Sequence, residues 1–175
     1  MNSSTLSTTL LFTLSLILIS QAASGSKLCE SLCKEAMEDS ARCLQILKAE
    51  PKIASAKNNV ELSKLILQMA LKKGTEAQKY LKELMKTNPS PAIKQCATTF
   101  YDGVVGSFKS SLGEIKEDGL TANYDAKVAG DGPFTCDTAL AAEKINNPTI
   151  ASINSEIMLL SKIAFLATNN LPTDE

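Results

Sequence analysis

The chain has no histidine and no tryptophan, and aromatic residues make up only 5% of its 175 residues. Without histidine it lacks the commonest general base, the Ser-His and Cys-His nucleophile systems and the commonest transition-metal ligand. Arginine occurs once, at Arg42, and the formal net charge is -1. A nucleic-acid-binding surface needs a basic stripe or aromatic stacking groups, and neither is found. The composition therefore argues against an enzyme and against a nucleic-acid partner.

Carboxylates occur in two groups, but their surroundings do not favour catalysis. Glycoside hydrolysis needs two carboxyl groups that face each other across a cleft. The groups here lie on lysine-rich helical surfaces, where solvent is expected to surround them; they are Glu35, Glu38 and Asp39, then Glu114, Glu117 and Asp118. No glycine-rich phosphate loop follows a strand, because no strand pattern is found. We predict no catalytic residue, no metal site and no cofactor, and a function carried out by contact.

An apolar leader precedes the first charged residue, Lys27. Its apolar run, 10–19, is shorter than the roughly 20 residues that span a membrane. The run fits the core of a signal peptide, and the small residues Ala23-Ser24-Gly25 after it fit a cleavage site, although no basic residue lies near Met1. We predict a signal peptide over 1–25 and one secreted domain over 26–175, with a retained N-terminal anchor as the alternative. No later stretch is expected to span a bilayer.

Apolar residues recur every three or four positions from Ser26 to the end of the chain, which indicates helices throughout. The expected helical segments are 27–38, 41–49, 55–85, 91–117, 120–129 and a last helix that begins at Pro148. Pro51 is expected to end the second segment, and Gly74 to interrupt the third at a cost of up to ~1 kcal/mol relative to alanine. Gly130-Asp131-Gly132-Pro133 breaks the pattern after the fifth segment.

The last helix has the most regular apolar spacing. Asn147 is placed as its N-cap and Pro148 at its first helical position. Steps of three and four alternate along its apolar seam, which consists of Ile150, Ile153, Ile157, Leu160, Ala164 and Ala167. Such a seam is expected where helices pack nearly antiparallel. The chain is therefore predicted to be all-α, an up-and-down four-helix bundle preceded by an N-terminal helical hairpin.

Five cysteines follow the leader, and in an exported chain they are interpreted first as disulfides. Cys96 lies one turn into its helix and Cys136 late in the next. These positions become level when the two helices pack antiparallel, so Cys96 and Cys136 are expected to form a disulfide. Cys43 is expected to close the hairpin by a disulfide to Cys33 or to Cys29. These two cysteines share one helix face because they are four residues apart. We favour Cys33, but the sequence does not choose. Loop-closure entropy gives about 3 kcal/mol for the Cys33–Cys43 loop and about 4 kcal/mol for the Cys96–Cys136 loop.

The cysteines also stand in recognisable sequence contexts. The mature chain opens with Leu28-Cys29-Glu30-Ser31-Leu32-Cys33 and continues with Cys43-Leu44-Gln45-Ile46-Leu47. Cys96 precedes Tyr101-Asp102-Gly103-Val104, and Cys136 lies in Thr135-Cys136-Asp137. Over the whole mature chain this layout resembles the plant invertase/pectin methylesterase inhibitor family, including its pollen-allergen-like members. Cys29 is additional to the usual four cysteines, and the Gly130–Pro133 segment is atypical.

The resemblance implies both a fold and a function. Family members are four-helix bundles with an N-terminal hairpin, which bind a target enzyme one to one and cover its active-site cleft. We therefore expect a secreted, monomeric inhibitor of a pectin methylesterase (pectinesterase) or of an acid invertase (a β-fructofuranosidase), located in the cell wall or the vacuole. Some invertase inhibitors carry Pro-Lys-Phe after an acidic turn, where this chain has Gly119-Leu120-Thr121. The choice of target stays open, and the partner-binding residues are not identified.

Two alternatives belong to other functional classes. A secreted structural or signalling bundle without inhibitory activity is favoured by the divergent loops and the missing Pro-Lys-Phe element. A small-molecule binder that uses the bundle core is disfavoured, because the apolar residues are no more numerous than packing requires.

Overall fold

The computed structural model describes residues 25–172, and this part of the chain is helical with no strand. The helices are α1 (25–35), α2 (Ser40–Lys48), α3 (Pro51–Ala54), α4 (Asn59–Thr87), α5 (Pro91–Gln95), α6 (Tyr101–Glu114), α7 (Gly119–Val128), α8 (Asp131–Ala142) and α9 (Pro148–Asn169). A 3₁₀ turn, Met37–Asp39, joins α1 to α2, and a π-helical turn, Cys96–Phe100, joins α5 to α6. The predicted signal peptide lies outside the described residues, apart from residue 25, and stays a prediction.

Side-chain caps fix where the long helices begin. Asn147 Oδ1 accepts from the backbone N–H groups of Thr149 and Ile150 at 3.0 and 3.1 Å, as the N-cap prediction required. Asn58 Oδ1 accepts from Glu61 N at 2.9 Å at the start of α4. These contacts satisfy backbone donors that have no partner within the helix.

Four helical arms form the bundle. The first is α4, the second is α5–α6, the third is α7–α8 and the fourth is α9. Each arm packs against the next, and α9 packs back against α4, so that the arms close around one core. The all-α, up-and-down four-helix bundle with an N-terminal hairpin is thereby confirmed. The apolar seam of α9 faces this core, with Ile153 only partly buried.

Buried serines connect neighbouring arms. Ser63 donates to the carbonyl of Ala167 at 2.7 Å, Ser111 to that of Ala122 at 2.7 Å, and Ser161 to that of Ala126 at 2.8 Å. In the described part of the chain, no buried side-chain nitrogen or oxygen lacks a hydrogen-bond partner. The core thus tolerates these hydroxyls because each one is satisfied.

The prediction that Gly74 interrupts its helix is wrong. Helix α4 runs unbroken from Asn59 to Thr87, and Gly74 is buried within it. A Cβ atom at this position would lie 3.2 Å from Val104 Cγ1 and 3.6 Å from Phe108. The glycine is therefore a place where α6 approaches α4 closely, rather than a break.

Two further helix boundaries differ from expectation. Pro51 follows α2, as predicted, but it also begins the short helix α3 as its first residue. The predicted break at Gly130–Pro133 shrinks to the turn at Ala129 and Gly130, and α8 already begins at Asp131. Gly132 is needed inside α8, because a Cβ atom there would lie 2.6 Å from the carbonyl oxygen of Phe100 in the π-helical turn.

Polar contacts dock the hairpin onto α9. Lys162 Nζ lies 2.7 Å from Asp39 Oδ2, and Arg42 Nη1 donates to Ser155 Oγ at 2.9 Å.

Contrary to expectation, α9 is long and apolar enough to cross a membrane by length and composition alone. Half of its apolar window is buried inside the bundle, however, as in the core helix of a globular domain.

Candidate docking surface

Helix α7 presents apolar side chains to solvent. Leu120 is 84% exposed, the highest value among the large apolar side chains of the described residues, and Tyr124 is 65% exposed. Their spacing of four residues places them on one face of the helix. Glu117 and Asp118 lie just before Leu120, in the turn that leads into the helix. We call Glu117, Asp118, Leu120 and Tyr124 the α7 surface.

Asp118 holds the start of α7. Its Oδ1 accepts from the backbone N–H of Thr121 at 3.0 Å, and its Oδ2 accepts from the Thr121 hydroxyl at 2.6 Å. These hydrogen bonds lower the pKa of Asp118 below its ordinary value, since they stabilise the charged carboxylate. The α7 surface therefore keeps this negative charge at mildly acidic pH.

The opposite face of α7 explains why Leu120 and Tyr124 point outward. Ala122 and Ala126 are fully buried there, and such small side chains let α7 lie close to α6 and α9. Asn123 Nδ2 donates to the carbonyl of Phe165 at 2.8 Å and to the hydroxyl of Thr168 at 3.1 Å. The rotation of α7 about its axis is thus fixed by contacts to α9.

An open cleft of about 350 Å³ lies beside Leu120, between the start of α7 and the end of α9. Its lining combines acidic, polar and apolar residues: Glu117, Asp118, Gly119, Leu120, Asn123, Thr168, Asn169, Leu171 and Pro172. Such a cleft can accept a side chain of another protein while the carboxylates pair with a basic group at its rim.

Two disulfides stiffen the scaffold that carries this surface. Cys33 is bonded to Cys43, with Cα atoms 5.5 Å apart, and Cys96 to Cys136, with Cα atoms 5.1 Å apart. The second bond joins the π-helical turn to α8, which directly follows α7. Cys29 is a buried thiol. The structure thus has Cys33, and not Cys29, as the partner of Cys43.

The sequence matches one protein family over most of its length. The family described as "Plant invertase/pectin methylesterase inhibitor" matches residues 27–168. The chain belongs to this family. The match covers the hairpin and all four arms of the bundle, so that the inhibitor-family domain and the described fold coincide.

Individual inhibitors of the family are similar at low identity. A "Putative invertase inhibitor" of Platanus acerifolia is 23% identical over 171 residues, which cover 92% of this chain and 94% of the relative. A crystal structure of mutant form A of a pectin methylesterase inhibitor from Arabidopsis has a TM-score of 0.69 and 21% identity, covering 78% of this chain and 92% of that one. A second pectin methylesterase inhibitor, from Arabidopsis thaliana, has a TM-score of 0.62 and 20% identity, covering 85% and 98%.

Four of the six carboxylates considered for catalysis have structural contacts in this inhibitor-family fold. Glu35 accepts from Asn170 Nδ2 at 3.2 Å, Glu38 and Asp39 both lie within 3.5 Å of Lys162 Nζ, and Asp118 caps α7. Within residues 25–172, no group of three or more acidic, cysteine or histidine side chains is placed to hold a metal ion. These four carboxylates therefore help to hold the fold together, while Glu117, with Asp118, lines the open cleft beside Leu120.

The sequence identified no docking residue. Its one signal was the position of Gly119-Leu120-Thr121, which stands where some invertase inhibitors have Pro-Lys-Phe. Leu120 in this segment is the most exposed large apolar residue of the described chain. Nothing in the sequence indicated that Tyr124 and Phe134 of α8 would be exposed. An apolar residue at helical spacing looks the same whether its side chain packs in the core or faces solvent.

Proposed function

We propose that this family member is a secreted inhibitor that binds a pectin methylesterase or an acid invertase one to one and blocks its active-site cleft. The observation that carries the proposal is the family match over the whole bundle. The α7 surface supports it, because an exposed Leu120 and Tyr124 beside acidic residues fit a protein partner better than a small substrate. The protein acts by contact and performs no catalysis itself.

We further propose that Leu120 and Tyr124 contact the target. Exposed aromatic and aliphatic side chains that become buried on association supply much of the binding energy of protein interfaces. Glu117 and Asp118 would lie at the rim, where charges mainly steer association. The position of Leu120 in the segment that corresponds to Pro-Lys-Phe is consistent with this role, although the residues differ.

The test is a paired titration of the mature chain against a purified pectin methylesterase and an acid invertase. We expect stoichiometric loss of activity in one of the two. The Leu120→Asp and Tyr124→Asp variants should weaken inhibition by at least about tenfold each. Met37→Asp is the matched control, because Met37 is 72% exposed on the hairpin, outside the α7 surface. Retained activity of both enzymes at saturating inhibitor would contradict the function, whereas unchanged inhibition by the α7 variants would contradict only the contact site.

A further inference from the structure

Three cysteines share the α1–α2 hairpin, and their sulfur atoms form one disulfide and one thiol. Cys33 is bonded to Cys43, and Cys29 is unbonded. All three side chains are 0% exposed and belong to the same hydrophobic core cluster. Because Cys29 lies one helical turn from Cys33, the buried thiol has a reaction partner inside the protein itself.

The helix geometry aligns the two possible partners of Cys43. Cys29 and Cys33 are four residues apart in α1, which places their Cβ atoms on one face about 5–6 Å apart. Glu30 Oε1 lies 3.4 Å from Lys48 Nζ, so the first part of α1 is level with the end of α2, and the two helices run antiparallel. Cys43 would reach Cys29 if α2 slid along α1 by one turn, about 5.4 Å. One-turn shifts of this kind occur in conformational switches.

We propose that Cys29 is an exchange thiol, which converts the hairpin between a Cys33–Cys43 form and a Cys29–Cys43 form. In this step the Cys29 thiolate attacks Cys43 Sγ, the Cys29–Cys43 bond forms, and the Cys33–Cys43 bond breaks. Cys33 leaves as a thiolate and takes up a proton equivalent to the one that Cys29 released. The number of disulfides and of electrons is unchanged, so no external oxidant or reductant is required.

The contacts of the hairpin explain why the Cys33–Cys43 form is the one in this structure. Asp39 pairs with Lys162 at 2.7 Å and Arg42 donates to Ser155 at 2.9 Å, and both contacts hold the hairpin in its present register on α9. A one-turn slide of α2 would separate these groups. The exchange therefore links the disulfide pairing to the way the hairpin docks on the bundle.

Burial makes the exchange slow. Desolvation raises the pKa of Cys29; Lys48 partly opposes this shift, and Glu30 adds to it. The reactive thiolate is thus a minor species at neutral pH, and its fraction rises about tenfold per pH unit below the pKa. The rate of exchange should follow this rise.

The experiment uses the wild-type chain, secreted with its leader from an oxidising host. Samples are held at pH 7 and pH 8, quenched in acid, unfolded and labelled with N-ethylmaleimide. Cleavage with trypsin and with a glutamate-specific protease, which cuts after Glu30, separates Cys29 from Cys33 for mass spectrometry. We expect label on Cys29 and a growing fraction on Cys33, with a rate about tenfold higher at pH 8. Label confined to Cys29 at both pH values, or label on Cys43, would overturn the proposal.

A pair of variants gives an independent result. Cys33→Ser should form the Cys29–Cys43 bond quantitatively, while Cys29→Ser should keep Cys33–Cys43 and serves as the matched control. Circular dichroism and an intact Cys96–Cys136 bond establish that each variant is folded. A folded Cys33→Ser variant in which Cys29 and Cys43 both remain free would overturn the proposal, and if this variant does not fold, the wild-type labelling decides.

Discussion

Lys162 Nζ lies 2.7 Å from Asp39 Oδ2, across 123 residues of sequence, and this pair ties the N-terminal hairpin to the last helix of the bundle. Both side chains are about one-third exposed, so water screens the pair only in part. The hydrogen bond with Asp39 is the main cause that raises the pKa of Lys162. The pair is therefore a specific contact and not two charges that happen to be close.

A double-mutant cycle measures this contact. Lys162→Met, Asp39→Asn and the double variant should give a coupling of about 0.2–1 kcal/mol in urea unfolding. Because the folded-state pKa of Lys162 is raised, its contribution is full below its ordinary value of 10.5 and is lost as pH rises through the folded-state value. The exposed pair Lys86–Glu83 is the control and should couple more weakly. Equal coupling in the two pairs would contradict a special role for Lys162.

Two glycines in adjacent helices should respond to alanine in opposite directions. Gly132→Ala places a Cβ atom 2.5 Å from Val104 Cγ2 and 2.6 Å from the Phe100 carbonyl oxygen, so α8 must move away from the π-helical turn. We expect a loss of about 1–3 kcal/mol. Gly106→Ala meets no atom within 4 Å and should gain about 0.5–1 kcal/mol from helix propensity.

Urea midpoints of the two variants and of the wild type check this prediction. Circular dichroism confirms that both variants keep their helix content. If Gly132→Ala proved as stable as Gly106→Ala, the close approach of α8 to the π-helical turn would be incorrect.

The sequence predicts the local features of α9 well, but it does not predict the packing role of Gly74. Local signals, such as the Asn147 cap and the seam from Ile150 to Ala167, act within one helix, so the spacing of residues predicts them. The role of Gly74 depends on Val104 and Phe108, which lie about 30 residues away in the chain and become neighbours only when α6 packs on α4. The local sequence around a glycine does not show whether that glycine permits close packing or only weakens its helix.

The exposed α7 surface is hidden from sequence analysis for a related reason. Leu120 fits a helical pattern as well as any core leucine does. Its direction is decided by Ala122 and Ala126 on the opposite face, because small side chains let α7 lie close to α6 and α9. Only the packed structure shows which side of an alanine-rich helix is turned to solvent.

A chain of hydrogen bonds, buried at Tyr101 and Asn154, joins three arms of the bundle. The Tyr101 hydroxyl donates to Asn154 Oδ1 at 2.7 Å, and Asn154 Nδ2 donates to Asp137 Oδ1 at 2.6 Å. Tyr101→Phe removes the donor and leaves a buried amide oxygen unpaired, which should cost about 1–3 kcal/mol. Tyr124→Phe, at an exposed tyrosine, is the matched control and should change stability by less than about 0.5 kcal/mol.

The same tyrosine predicts a pH dependence. Burial raises the pKa of Tyr101, and the charge of Asp137 raises it further. The folded protein thus keeps the phenol proton at pH values where the unfolded chain, with an ordinary pKa of 10.0, loses it. The stability advantage of the wild type over Tyr101→Phe should therefore be constant below pH 9 and shrink as pH rises above 10. An advantage that grows with pH in urea titrations would contradict this assignment.

Target binding should take its pH dependence near neutrality from the target. The chain has no histidine, and the two carboxyl groups of residues 25–172 with a resolved pKa shift, Glu83 and Asp118, are both shifted downward. The stabilising charge of Asp118 is present above its ordinary value of 3.8 and is lost only as pH falls through the lower folded-state value. If inhibition weakens between pH 6 and 7, Asp118→Asn should change its strength but leave the shape of the pH profile unaltered. Inhibition constants measured across pH 5–8 check this, and a profile flattened by the substitution would place the titrating group on the inhibitor.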